Sequence, residues 1–232
     1  DEGPDVVYAI EQEQHAVASY YRNTIIHFFV NKAIIELALL KTSETEGSTA
    51  VEVFWGEVDK LRDLFKFEFF YAPTAQFHQQ IREEMARYAD NWEELLQQGA
   101  PGFLQLQNNM LLLVSHVTLL TFAEAYSVVA DLLARMEASA GLTEDECVSQ
   151  ALKLGQQAYL QRRISSPASI GKLLFKNGFK VAQHRQLTVG GGETVAAGRK
   201  ALARELRDVL RRLELIRALG VATRDVNMEK QQ

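Results

Sequence analysis

Few residues of this chain have types that do chemistry: five histidines (His15, His27, His78, His116 and His184), the single Cys147, and short runs of acids. Metal sites need several nitrogen, sulfur or carboxylate ligands brought together. No two of the histidines fall within five residues and Cys147 has no companion, so neither a metal nor another cofactor is expected. No G-x-S-x-G turn exposes a serine nucleophile. Gly190-Gly191-Gly192 fits neither the dinucleotide nor the Walker phosphate loop. Glu83-Glu84 and Glu93-Glu94 sit on the solvated sides of amphipathic stretches. No residue of this chain is assigned a catalytic role.

Two polar groups share a helical register instead. Within Tyr20–Leu40, Asn23, His27 and Asn31 recur at i, i+4 and i+8, which makes one stripe on one helix face. Such a stripe is either a solvated or hydrogen-bonded edge of a core helix or the lining of a substrate cavity. Further on, residues 147–192 hold seven Lys or Arg and no acid. Lys172, Lys176 and Lys180 recur every fourth residue there, with Arg162 and Arg163 just before them. A local positive field of this kind attracts an anionic membrane surface, a phosphate compound or nucleic acid. It equally suits docking on the acidic first half, where residues 1–100 carry 18 acids against 8 bases.

The elements that position these residues read mainly as helices, a multi-helix bundle with one small β-hairpin. Ile25 to Leu40 is apolar over more than half its circumference, which marks a central helix packed on several sides. The span Tyr20–Leu40 has the length of a bilayer crossing but carries Arg22, Lys32 and Glu36, and a span wants about 20 predominantly apolar residues. Helices follow over 50–71, from Thr74, over 116–136, over 143–160, from Ser166-Pro167 and over 193–219. Thr143 with Glu146 forms a capping box. Phe103–Gln107, Asn108-Asn109 and Met110–Val114 read as a hairpin, since asparagine tolerates a tight turn. In the last helix Val195, Leu202, Leu206, Val209, Leu213 and Ile216 share one side, and Arg199, Arg207 and Arg212 fall mostly elsewhere.

The 232 residues, 47% hydrophobic with only four prolines, are enough for one large helical domain or two small ones. The division expected is 1–140, with the central helix and the hairpin, and a basic region 141–232 packed on it. A lone cysteine allows no intrachain disulfide and favours a reducing compartment.

The run YYRNTIIHFFVNKAIIELAL (20–39), preceded by Ala18-Ser19, resembles the helix just after the catalytic domain of bacterial membrane-associated sn-glycerol-3-phosphate acyltransferases. LRDLFKFEFFY (Leu61–Tyr71) resembles that family's next helix. The segment after Gly102 and the run Ile164–Leu187 match its C-terminal region more loosely, so the resemblance covers roughly 15–190.

Those enzymes use a His-x4-Asp motif as base and orienting acid. Here the fifth residue after each histidine is Tyr20, Lys32, Glu83, Thr121 or Val189 in turn, never Asp. The resemblance therefore implies the non-catalytic C-terminal helical part of such an enzyme, and Asp1 in place of an initiator Met fits a fragment or processed chain. It implies acyl transfer from acyl-CoA or acyl-carrier protein to glycerol 3-phosphate, giving lysophosphatidic acid. The partner is the enzyme's own catalytic domain, at the cytoplasmic side of the bacterial plasma membrane. Arg22, Asn23 and His27 then become candidate substrate-channel residues, and Arg162, Arg163, Lys172, Lys176 and Lys180 candidate contacts to anionic lipid. The competing readings are a nucleic-acid binder with the hairpin as the wing of a winged helix, a helical adaptor, and an independent lipid-binding module.

Overall fold

Ser115–Ala134 is a 20-residue stretch whose apolar residues leave little room for a solvated face, and its surroundings follow from that. The computed structural model describes residues 25–43, 49–110 and 113–229, with side chains through Gly220. After a short 3₁₀ turn, Ile26–Phe29, the α-helices are α1 (Val30–Thr42), α2 (Ala50–Leu64), α3 (Thr74–Tyr88), α4 (Trp92–Leu96) and α5 (Ala100–Asn109). They continue as α6 (Ser115–Ala134), α7 (Glu144–Leu160), α8 (Lys172–His184) and α9 (Gly192–Glu229). A second 3₁₀ turn, Pro167–Ser169, leads into α8.

Two hubs organise the bundle. Helix α6 is enclosed by α1, α7, α8 and α9, while α1 is enclosed by α2, α3, α5, α6 and α9. Every residue from Ala33 to Leu39 is buried, as the wide apolar surface of this helix predicts. Burying a side chain of leucine or isoleucine size contributes about 1.5–3 kcal/mol, so two helices buried nearly all round carry much of the stability. The hydrophobic core runs without interruption from Ile26 to Ile216. The two regions read from the sequence, 1–140 and 141–232, share it. The length and composition of α6 would suit a membrane span, yet 61% of its apolar window lies buried inside this fold.

The hairpin does not form. Residues 100–109 are the helix α5, and no strand occurs among the described residues. Pro101 occupies the first turn of α5, where its missing N–H is no loss. Gly99 enters it at φ 63°, a left-handed conformation that glycine tolerates. Gly102, Leu106 and Met110 are buried at a spacing of four, so the alternating pattern of Phe103–Gln107 was a helical face. A Cβ on Gly102 would lie 1.8 Å from the Leu95 carbonyl oxygen, so α5 seats against α4 only through glycine. Without a wing, the winged-helix reading loses the feature that carried it.

The sequence also overextended α2, which stops at Leu64. The aromatic run behind it divides, with Phe65 and Phe69 buried and Phe67 and Phe70 exposed. The last helix differs in its arginines. Arg199 and Arg212 are each only 1% exposed. Arg199 donates to the carbonyls of Glu137, Ala140, Leu187 and Val189 at 2.7–3.1 Å, holding two loops to the start of α9. Arg212 donates to the Leu37 carbonyl at 2.8 Å and pairs with the buried Glu57 at 2.5 Å. Planar guanidinium forks satisfy several acceptors at once, which makes such burial tolerable.

Candidate functional site

The basic residues singled out in the sequence are spread along α7 and α8: Arg162 and Arg163 follow the last residue of α7, while Lys176 reaches Glu144 at its first. Thr143 and Glu146 form the expected capping box at the start of α7. At its other end Arg162 takes φ 57°, and the Arg163 N–H returns to the Ala158 carbonyl at 2.8 Å. This left-handed reversal folds Arg163 and Ile164 back beside the last turns of α7. The buried Glu124 of α6 then fixes the following turn, accepting the Ser165 N–H at 2.7 Å and the Ser169 hydroxyl at 2.5 Å. An acid in the middle of an apolar helix was the sequence signal for this anchor, and it was missed.

On α8, Lys172 and Lys180 are exposed, while Lys176 is ion-paired with Glu144 at 2.9 Å. That hydrogen bond and charge raise the Lys176 ammonium pKa. Lys180 stands near Glu68, whose carboxyl burial pushes up against the opposing Tyr126 and Asn177 hydrogen bonds. Leu160 is 82% and Leu173 67% exposed in the same stretch of chain.

Next to Arg163, α7 and α9 both lie on α6 with little contact between them. The gap is a cavity of about 500 Å³. Val128, Leu154, Ile164 and Leu210 line its apolar part, and the small Ala134 and Ala158 keep it open. Among the described residues Arg135, Arg163 and Arg207 line it with a single carboxylate, Asp131. Asp131 lies 3.3 Å from Arg207 and 4.0 Å from Arg163. Sequence reasoning found Arg163 only, because the four groups come from three separate places in the chain.

The amino-terminal candidates are less complete. Arg22 and Asn23 lie outside the described residues. His27 is exposed on the 3₁₀ turn, its ring 3.9 Å from that of Phe28. Asn31, the next residue of the stripe, donates to Gln80 of α3 at 3.4 Å. Phe28 is 74% exposed, and with Phe29, Lys32, Glu83 and Arg87 it lines a groove of about 420 Å³ between this turn and α3. His78, the nearest approach to the His-x4-Asp spacing, bonds Asp59 of α2 at 2.7 Å, while Glu83 accepts from Gln79 instead. The Cys147 thiol is buried and its pKa is pushed up to about 12 by that burial and by Glu144, which leaves it a poor nucleophile. Among the described residues no three His, Cys, Asp or Glu side chains are placed to hold a metal ion.

Comparison with known proteins supplies what the geometry does not. Relatives provisionally named acyltransferase plsB1, from Mycobacterium bovis and from two strains of Mycobacterium tuberculosis, are 36% identical over 223 residues. The match takes in 95% of this chain but only 36% of each relative, so the chain spans about a third of their length. No solved structure matches it. The family described as the glycerol-3-phosphate acyltransferase C-terminal region matches residues 1–190, most of the helical bundle, and the chain belongs to that family.

Proposed function

We propose that this chain is the non-catalytic C-terminal helical part of an sn-glycerol-3-phosphate 1-O-acyltransferase. The intact protein moves an acyl group from acyl-CoA or acyl-carrier protein to the 1-hydroxyl of glycerol 3-phosphate, releasing lysophosphatidic acid. The observation that carries this reading is the family match over residues 1–190. The base that deprotonates the hydroxyl belongs to the remaining part of the protein, since no histidine here has an aspartate at the required spacing.

In this reading the amino-terminal turn faces the catalytic part. The bare rings of Phe28 and Phe29 and the exposed Ile25 support such a contact, and Arg22, Asn23 and His27 close the substrate channel from this side. Arg162, Arg163, Lys172, Lys176 and Lys180 lie on the cytoplasmic face of the bacterial plasma membrane. Exposed Arg162, Arg163, Lys172 and Lys180 with Leu160 and Leu173 support that placement.

The test is acyl transfer from a long-chain acyl-CoA to glycerol 3-phosphate, by the intact protein carrying this chain and by the chain alone. A positioned general base contributes about 10²–10⁴-fold, so turnover is expected from the first and none from the second. Turnover by the 232-residue chain, or an intact protein that does not acylate glycerol 3-phosphate, overturns the reading.

A further inference from the structure

The cavity between α6, α7 and α9 has a composition that selects its ligand. Its volume of about 500 Å³ is in the range of small-molecule sites, roughly 300–1,000 Å³. The lining is aliphatic, with Val128, Leu154, Ile164 and Leu210 around the two alanines. Among the described residues no aromatic side chain lines it, so a nucleobase finds no ring there to stack on. An alkyl chain needs only aliphatic walls.

The charged lining is unbalanced. Among the described residues Arg135, Arg163 and Arg207 stand against Asp131 alone, and Asp131 pairs with Arg163 and Arg207 without reaching equality of charge. Arg135 has no carboxylate partner among the described residues. The cavity therefore carries two positive charges beyond what its own acid neutralises. Guanidinium groups bind carboxylate and phosphate through paired N–H donors. A carboxylate supplies one negative charge, whereas a phosphomonoester carries about 1.5–2 at pH 7, and only the second matches the surplus. The site is also built rather than incidental. Glu124 anchors the turn after Ile164, and the left-handed Arg162 sets Arg163 and Ile164 against α7.

We propose that this cavity binds a single-chain phosphomonoester amphiphile, with the alkyl chain along Val128, Leu154, Ile164 and Leu210 and the headgroup among Arg135, Arg163 and Arg207. The lysophosphatidic acid of the preceding section is one member of that class. Recognition rests on the cavity and not on the acyl-transfer reading, so each can fail without the other.

The experiment is titration calorimetry on this chain with decyl phosphate below its micellar concentration. Decanol and inorganic phosphate serve as the separate halves of the ligand. Decyl phosphate is expected to bind one to one, each half at least about tenfold more weakly. Arg163→Gln with Arg207→Gln should weaken decyl phosphate by about tenfold or more, the effect of losing charge-assisted contacts. Ala134→Leu, which fills the cavity without altering charge, should weaken it as much while the near-ultraviolet circular dichroism stays unchanged. If Ala134→Leu does not fold, the arginine pair decides, because both side chains are about half exposed, 45% for Arg163 and 59% for Arg207. Binding that the arginine substitutions leave intact, or that decanol or inorganic phosphate equals, overturns the proposal.

Discussion

Glu36 shows how much one residue decides in this bundle. It stands in the middle of the buried helix α1, yet its carboxylate accepts the Val114 N–H at 2.8 and 2.9 Å and the Ser115 N–H at 2.7 Å. Those are free donors at the amino end of α6, where a helix has no internal acceptors to offer and the dipole favours negative charge. The cap comes from a residue 79 positions away in the sequence. Burial raises the Glu36 pKa from 4.5 to about 7, with the backbone N–H groups and Lys32 opposing it. Between those two values the folded chain holds a proton that the unfolded chain has released. Stability from this group is therefore greatest below pH 4.5 and is lost as the pH rises through 7. At about 1.4 kcal/mol per pKa unit, the change is about 3 kcal/mol. Urea unfolding of wild type and Glu36→Gln should show the wild type losing stability relative to the variant by that order over this window. A difference that does not vary with pH would refute the assignment.

Among the elements, α8 divides most clearly into a buried and a charged side. Its buried side presents Phe175, Gly178, Phe179 and Ala182. A Cβ on Gly178 would stand 3.2 Å from the Tyr126 ring and 3.3 Å from Val129, so glycine sets how closely α8 lies on α6. The opposite side carries Lys172 and Lys180 in solvent, with Lys176 drawn to Glu144. Replacing the three lysines with glutamate should lower binding to vesicles containing anionic phospholipid by about tenfold or more, and lower its salt sensitivity. Lys176→Glu alone should do less, since its ammonium already has an internal partner. Vesicle binding unaffected by the triple change would assign the lysines to internal docking.

The whole molecule depends on contacts between distant parts of the chain. Arg212 of α9 reaches the Leu37 carbonyl of α1 and Glu57 of α2, and α9 covers α6 along much of its length. A chain ending at Ala140 would lose the Arg212 bonds to Leu37 and Glu57 and bare the sides of α6 that α7, α8 and α9 cover. Each buried side chain of leucine or phenylalanine size that is bared forfeits about 1.5–3 kcal/mol, so a few of them match the about 5–15 kcal/mol that holds a domain folded. Thermal unfolding of the full chain should be one cooperative transition, and the chain ending at Ala140 should show none. A truncated chain that melts cooperatively near the full-length temperature would show that the first 140 residues fold alone.

Helix content, the central place of α1, the capping box of α7 and the register of Lys172, Lys176 and Lys180 were legible in the sequence, because each depends on spacing within a single turn or two. The resemblance of Tyr20–Leu39 to the acyltransferase family was legible there as well. The failure at Phe103–Gln107 has the same origin: alternation over five residues suits a strand or a helix, and only the close seat of Gly102 on the Leu95 carbonyl selects the helix. What the tertiary structure alone decided is where the charges go. Arg199, Arg212, Glu36, Glu57 and Glu124 read as surface residues by type, yet each is buried with acceptors or donors from segments far away in sequence. Such pairs leave no local period. The arginine-lined cavity is hidden for that reason too, since α6, α7 and α9 each contribute a few side chains and the gap exists only once all three have packed.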